Sequence, residues 1–129
     1  MQEPDQELDQ LAHRVIGMAI EVHRTLGPGY LESVYEQALC LELTEHAIAH
    51  SSQALIEVMY KGHMIGQGRI DIWVVQRLII ELKAVEAFTA VHKAQVISYL
   101  KTTRCQLGLL INFNVPMLKD GIQRIIYSS

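Results

Sequence analysis

Apolar residues in the first 25 positions fall at helical intervals. Leu8, Leu11, Ala12, Val15, Ile16, Ala19, Ile20 and His23 recur every three or four residues, which predicts an amphipathic helix from residue 5 to about 25. Gly27-Pro28-Gly29 interrupts it. Leu31, Val34, Tyr35, Ala38 and Leu39, joined by Leu41 and Leu43, restore the spacing and predict a second helix over about 31–47. The period then shortens. QALIEVMY (53–60), GRIDIWVV (68–75) and RLIIELKAV (77–85) read as strands, with a turn at Lys61-Gly62 after the first. Helical spacing returns in TAVHKAQVISYLKTT (89–103). LGLLINFN (107–114) is nearly unbroken in its apolar character, as in a strand covered on both faces, and a last strand is expected over 122–127. The order ααβββαβ(β) predicts an α/β (α+β mixed) domain, a mixed sheet with helices on its faces.

The length, 129 residues, fits one domain over 1–129, with residues 1–9 expected to fray. Half the residues are hydrophobic, enough for a core without staples. No apolar run approaches the ~20 residues of a membrane span, so no membrane association is expected. The acidic start MQEPDQELDQ is unlike a signal peptide. Cys40 and Cys105 form no CxxC and suggest two reduced thiols, hence a cytoplasmic location.

The net charge of −3 is unevenly spread. Residues 1–60 carry ten acids and two bases, and residues 61–129 carry nine Lys and Arg against four acids. Such asymmetry gives a two-sided molecule with one face suited to a polyanion, unless the two halves neutralise each other on folding.

Three charges break the apolar strands of the middle hairpin: Asp71, Glu81 and Lys83. Charged residues rarely enter such strands unless paired or liganding. Glu81 and Lys83 are two apart and project from one face of their strand. Asp71 lies opposite Glu81 only if residue 74 pairs with 78, leaving the three-residue connection Val75-Gln76-Arg77. A two-residue turn would send the carboxylates to opposite faces, so an odd connection or a bulge is required. Two adjacent carboxylates repel unless a cation separates them, and Mg²⁺ or Mn²⁺ suits their oxygens. Such a cation would polarise a phosphodiester, with Lys83 holding water or neutralising phosphate charge. A buried salt bridge from Lys83 to Asp71 or Glu81 is the plainer alternative. Gln95 and Tyr99, four apart, share a face of the following helix.

Taken together and in order, GPGYLESVY, RIDIW, IIELKAV, VHKAQVISYL and LGLLINFN resemble the GxxExxY protein family, a branch of the PD-(D/E)XK nuclease superfamily. The resemblance covers roughly residues 10–127. The naming motif stands as Gly29, Glu32 and Tyr35. The resemblance implies a restriction-endonuclease-like core, a central mixed β-sheet flanked by α-helices. It implies Asp71, Glu81 and the Leu82 carbonyl as metal ligands for Mg²⁺ or Mn²⁺, and Lys83 as the catalytic lysine. Glu32 would complete the metal site, directly or through water. Gln95 and Tyr99 match a QxxxY element that supports the site and the DNA strand in related nucleases. Ile70 stands where the superfamily pattern often has proline.

Other residues have ordinary explanations beside the functional ones. Glu32 also suits a helix N-terminus electrostatically. Tyr35 fits core packing with a locally satisfied hydroxyl. His92 reads as a local hydrogen-bond partner that also lies one turn before Gln95. Trp73 fits core filling. Lys93, Lys101 and Arg104 suit either a phosphate-facing or a solvated helix face. The leading expectation is a metal-dependent nuclease acting on DNA rather than RNA. The alternatives are a nucleic-acid-binding module that turns over poorly alone, and an interaction domain with salt-bridged carboxylates. A chain this short suggests a homodimer or a partner protein to grip a long substrate.

Overall fold

The computed structural model describes residues 4–128. Helix α1 spans Gln6–Leu26, and Asp5 caps it by accepting a hydrogen bond from the Leu8 N–H at 2.8 Å. Residues 6–9, expected to fray, are therefore helix, while residues 1–3 lie outside the described residues. Leu8, Ala12, Val15, Ala19 and His23 of the predicted stripe are buried, joined by Met18 and Val22, while Leu11, Ile16 and Ile20 are only partly covered. Gly27 ends it at φ 72, in the left-handed region that glycine tolerates, and its N–H donates to the His23 carbonyl at 2.7 Å. Helix α2 (Glu32–Glu45) buries Tyr35, Leu39 and Leu43.

The sheet follows: β1 (His50–Tyr60), β2 (His63–Val74), β3 (Leu78–Lys83), helix α3 (Ala90–Thr103), β4 (Leu107–Asn112), a short 3-10 turn (Leu118–Gly121) and β5 (Ile122–Ile126). The strands lie in sequence order. Only β3 and β4 are parallel, joined by the α3 crossover, and the other neighbours are antiparallel. The sheet is thus mixed and flanked by helices, as expected. Two cores result. Ile72, Val74, Leu78, Ile80, Leu82, Leu109 and Ile111 meet α1 and α2 on one face. Ile70, Ile79, Leu110 and Ile125 meet Val96 and Leu100 of α3 on the other. All of β4 is buried, which explains its unbroken apolar run.

The first hairpin is longer than its sequence suggests. Strand β1 begins at His50 and β2 at His63, because residues 63–67, HMIGQ, pair with β1 despite lacking strict alternation. The acidic start and the basic second half do partly neutralise each other. Arg77 pairs with Asp5 and Glu7 at 2.7 and 3.6 Å, and Arg124 pairs with Asp9 at 2.8 Å.

Candidate active site at a split between two strands

The connection between β2 and β3 is three residues, Val75, Gln76 and Arg77, and Val74 pairs with Leu78. This is the odd connection the hairpin chemistry requires. Val75 and Gln76 both adopt positive φ, and the Arg77 N–H donates to the Val74 carbonyl at 2.9 Å. The ladder proceeds through Trp73–Ile79 and Ile72–Ile80, then stops one step short of Asp71 and Glu81.

At that step carboxylates replace backbone. The Asp71 N–H donates to Glu81 Oε2 at 2.7 Å, and the Leu82 N–H donates to Asp71 Oδ2 at 2.8 Å. Each acid thus satisfies a main-chain donor of the opposite strand. Strand alternation breaks at the same point: Ile70 lies in the α3-side core, whereas Ile72 lies in the α1/α2-side core. The disturbance extends to β1, where Gln53 sits across from Asp71 with φ 52. The Gln53 side-chain amide donates to Asp71 Oδ1 at 3.3 Å and to Glu36 Oε1 at 2.7 Å.

This changes which glutamate of α2 faces the sheet. Glu32, expected to complete the site, is exposed at the first position of the helix. Glu36, one turn later on the same face, is half-buried and reaches Asp71 through Gln53. Burial raises the Glu36 carboxyl above its ordinary range. The Gln53 hydrogen bond opposes that rise, and the charges of Asp71 and Glu32 add to it. The i, i+4 relation to Glu32 was a signal in the sequence that could have found Glu36; Gln53 had none.

Glu81 is 3% exposed. Burial first, then the neighbouring Asp71 charge, pushes its carboxyl up to about 8, although Lys83 and the Asp71 N–H pull the other way. Lys83 is half-buried and makes no ion pair among the described residues, so the expected alternative of a simple salt bridge is not formed. The strand leaves the site under a clamp. Asn112, beside Lys83 in the β3–β4 register, donates its amide to the Val85 carbonyl at 2.8 Å and accepts from the Val85 N–H at 3.1 Å. Sequence reasoning missed Asn112 because asparagine in an apolar run also fits a strand end.

The QxxxY pair is not drawn into the carboxylate group. Gln95 is exposed, and Tyr99 lies across Gly68 with its hydroxyl 3.5 Å from the Arg69 N–H. Tyr35 is structural, as its ordinary reading expected. It is fully buried, stacks on Phe113 at 4.4 Å, donates to the Gly27 carbonyl at 2.6 Å and accepts from the Tyr30 N–H at 3.1 Å. His92 caps α3 by accepting from the Thr89 N–H. Trp73 packs on the α3-side core.

The donors suit a hard divalent cation. One oxygen of each of Asp71 and Glu81 is committed to a backbone N–H, which fixes the carboxylate. Glu81 Oε1 has no hydrogen bond among the described residues, and Asp71 Oδ1 has only the long one from Gln53. Among the described residues no three His, Cys, Asp or Glu side chains are grouped so as to hold a metal ion, and Gln53 stands between Glu36 and Asp71. Magnesium needs no such group of three, because it commonly takes one or two carboxylates and keeps several waters. A cavity of about 600 Å³ opens at the opposite end of β3 and β4, beside Arg77, Arg104 and Cys105, and no Asp or Glu among the described residues lines it.

Residues 9–125 match the family model of the PD-(D/E)XK nuclease superfamily. None of the curated proteins matches the chain. Among solved structures, the crystal structure of SSO0001 resembles it with a TM-score of 0.50 and 19% identity over 72% of this chain. This chain spans 47% of that protein's length. At such identity the likeness speaks for the fold, a five-stranded mixed sheet of restriction-endonuclease-like form. Among the described residues no helix is long and apolar enough to cross a membrane. With the split hairpin and its two carboxylates in place, and with the family match running over nearly the whole sequence, the chain belongs to the PD-(D/E)XK nuclease superfamily.

Proposed function

We propose that the protein is a Mg²⁺- or Mn²⁺-dependent nuclease of the GxxExxY branch that hydrolyses phosphodiester bonds in DNA. The observation that carries this reading is the reciprocal anchoring of Asp71 and Glu81 across the β2–β3 split, with Lys83 beside them and without an ion pair among the described residues. Asp71 and Glu81 would hold the cation, with the Leu82 carbonyl, between Glu81 and Lys83 in the chain, as a further donor. When bound, the cation supplies Lewis acidity at the phosphate and to the attacking water. Glu36, with Glu32 one turn behind it, is placed to accept a proton or orient that water through the Gln53 side. Lys83 offers its ammonium to the phosphate as negative charge builds up on its oxygens. Water adds at phosphorus, and the bond to the departing sugar oxygen breaks. Gln95 and Tyr99 line the approach of the nucleic-acid strand from α3.

Incubation with single- and double-stranded DNA in Mg²⁺, Mn²⁺ or EDTA tests the reading. Cleavage that needs the cation and disappears in Asp71→Ala and Lys83→Ala supports it. Absence of cleavage with either cation, or cleavage untouched by both substitutions, would sink it.

A further inference from the structure

Strands β1 and β2 run on past the rest of the sheet. The β2–β3 ladder ends at Ile72–Ile80, so residues 63–70 of β2 lie beyond it, at the end of β3 that carries Glu81 and Lys83. There they ladder with β1, itself an edge strand: the base of the pair packs on α3 through Ile56, Gly68 and Ile70, and only the part beyond it, about residues 58–67, rises from the catalytic end as an exposed two-stranded ribbon. Its tip turns through Lys61 and Gly62, both at positive φ, and presents Met59, Tyr60, Met64 and Ile65, each more than half exposed.

One residue of this ribbon has no explanation within the chain. Glycine weakens a strand and marks places where another backbone comes close. Gly68 fits that rule internally, because a Cβ there would meet the Tyr99 ring at 2.8 Å. Gly66, next on the same face, does not. Its φ is not in the left-handed region, and a Cβ would find nothing within 4 Å. The nearby bulge places its extra residue at Ile65, opposite the Val58/Met59 step. Neither backbone conformation nor packing therefore calls for glycine at 66.

We infer that the ribbon is a groove-entering arm for double-stranded DNA, with Gly66 leaving room for the duplex backbone. The choice of nucleic acid as occupant rests on the nuclease reading. The charge agrees: from Leu55 to Ile70 the ribbon carries Lys61 and Arg69, together with His63, against a single acid, Glu57. The arm is also continuous with the site, since β2 leads directly from the tip to Asp71. The major groove of B-form DNA, ~12 Å wide, admits a two-stranded ribbon. The major groove of duplex RNA is too deep and narrow for one.

The test is fluorescence anisotropy of the full chain in EDTA with labelled duplex DNA, single-stranded DNA and duplex RNA. Duplex DNA is expected to bind best. Gly66→Val and Lys61→Glu are each expected to weaken duplex binding by roughly tenfold, and Lys61→Glu to lower the salt slope by about one, with unchanged thermal melting. Equal affinity for single strands, or duplex affinity unmoved by both substitutions, overturns the inference. So does a change from dimer to monomer in Met64→Ser/Ile65→Ser with DNA binding intact, which would make the arm a contact between copies. The assay needs neither cation nor turnover. A protein that binds duplex through the arm yet cuts nothing would lose the nuclease reading and keep this one.

Discussion

Strand β3 has two unlike neighbours. On the β4 side six residue pairs run in unbroken register, and every residue of β4 is buried. On the β2 side three pairs form before the ladder gives way to Asp71 and Glu81. One seam is a structural joint, closed by backbone and apolar side chains. The other is held open at one end by carboxylates that stand in for backbone. The lesson is that a sheet can seat buried carboxyl groups where its ladder ends, because main-chain donors freed there find acceptors, although burial still holds Glu81 toward its neutral form.

The largest contrast should appear in turnover. Asp71→Ala or Lys83→Ala is expected to lower cleavage by ~10³-fold or more, as loss of a group acting on transition-state charge does. Circular dichroism should show the fold retained. Unfolding of either variant would instead make the open seam a structural joint too.

The second contrast is in pH. Glu81 in the native state holds its proton up to about 8, whereas the unfolded side chain releases it near 4.5. The unfolded state therefore binds fewer protons between those values, and cation-free stability should fall as pH rises from about 4.5 to about 8, then level off. The full shift corresponds to at most about 5 kcal/mol. Glu81→Gln should remove most of that slope and be the more stable protein at pH 8 in EDTA, while losing cleavage. Urea unfolding at pH 5 and pH 8 measures this. Equal slopes in the two proteins would mean that Glu81 is not carrying buried charge.

The closed seam should answer only in stability. A Cβ at Gly108 of β4 would sit 2.7 Å from Val96 of α3, so Gly108→Ala should cost about 1–3 kcal/mol by overpacking. Its cleavage per folded molecule should be unchanged. A selective loss of turnover would show that strain crosses β3 to the open seam.

The smallest effect separates two glutamates. Glu36→Gln should reduce cleavage by roughly tenfold, about 1.4 kcal/mol, and Glu32→Gln by less. The reverse order would return Glu32 to the role its motif position suggested.

Much of this was legible in the sequence, and the exceptions share a cause. The helices of the first half, the mixed sheet and the Asp71–Glu81 register follow from periodicity and from the need to put two charges side by side. Glu36 was hidden because a motif drew attention to Glu32, while the helix's rotation is fixed by tertiary contacts of Tyr35. Gln53 was hidden because its part in the site depends on a positive φ that no glycine announces. The long β1–β2 ribbon was hidden because HMIGQ has neither alternation nor a continuous apolar run.

Tyr35 also limits motion. Its hydroxyl grips the turn before α2 at two backbone atoms, and its ring lies flat on Phe113. A helix held this way at one residue can bend or fray at its far end, but it cannot roll about its axis without breaking all three contacts. Glu36 is the very next residue, so the bearing of its carboxylate toward Gln53 is held by its neighbour Tyr35. Removing only the Tyr35 hydroxyl would take away two of the three contacts and leave the stack on Phe113, loosening that roll and blurring the aim of Glu36 while leaving α2 a helix.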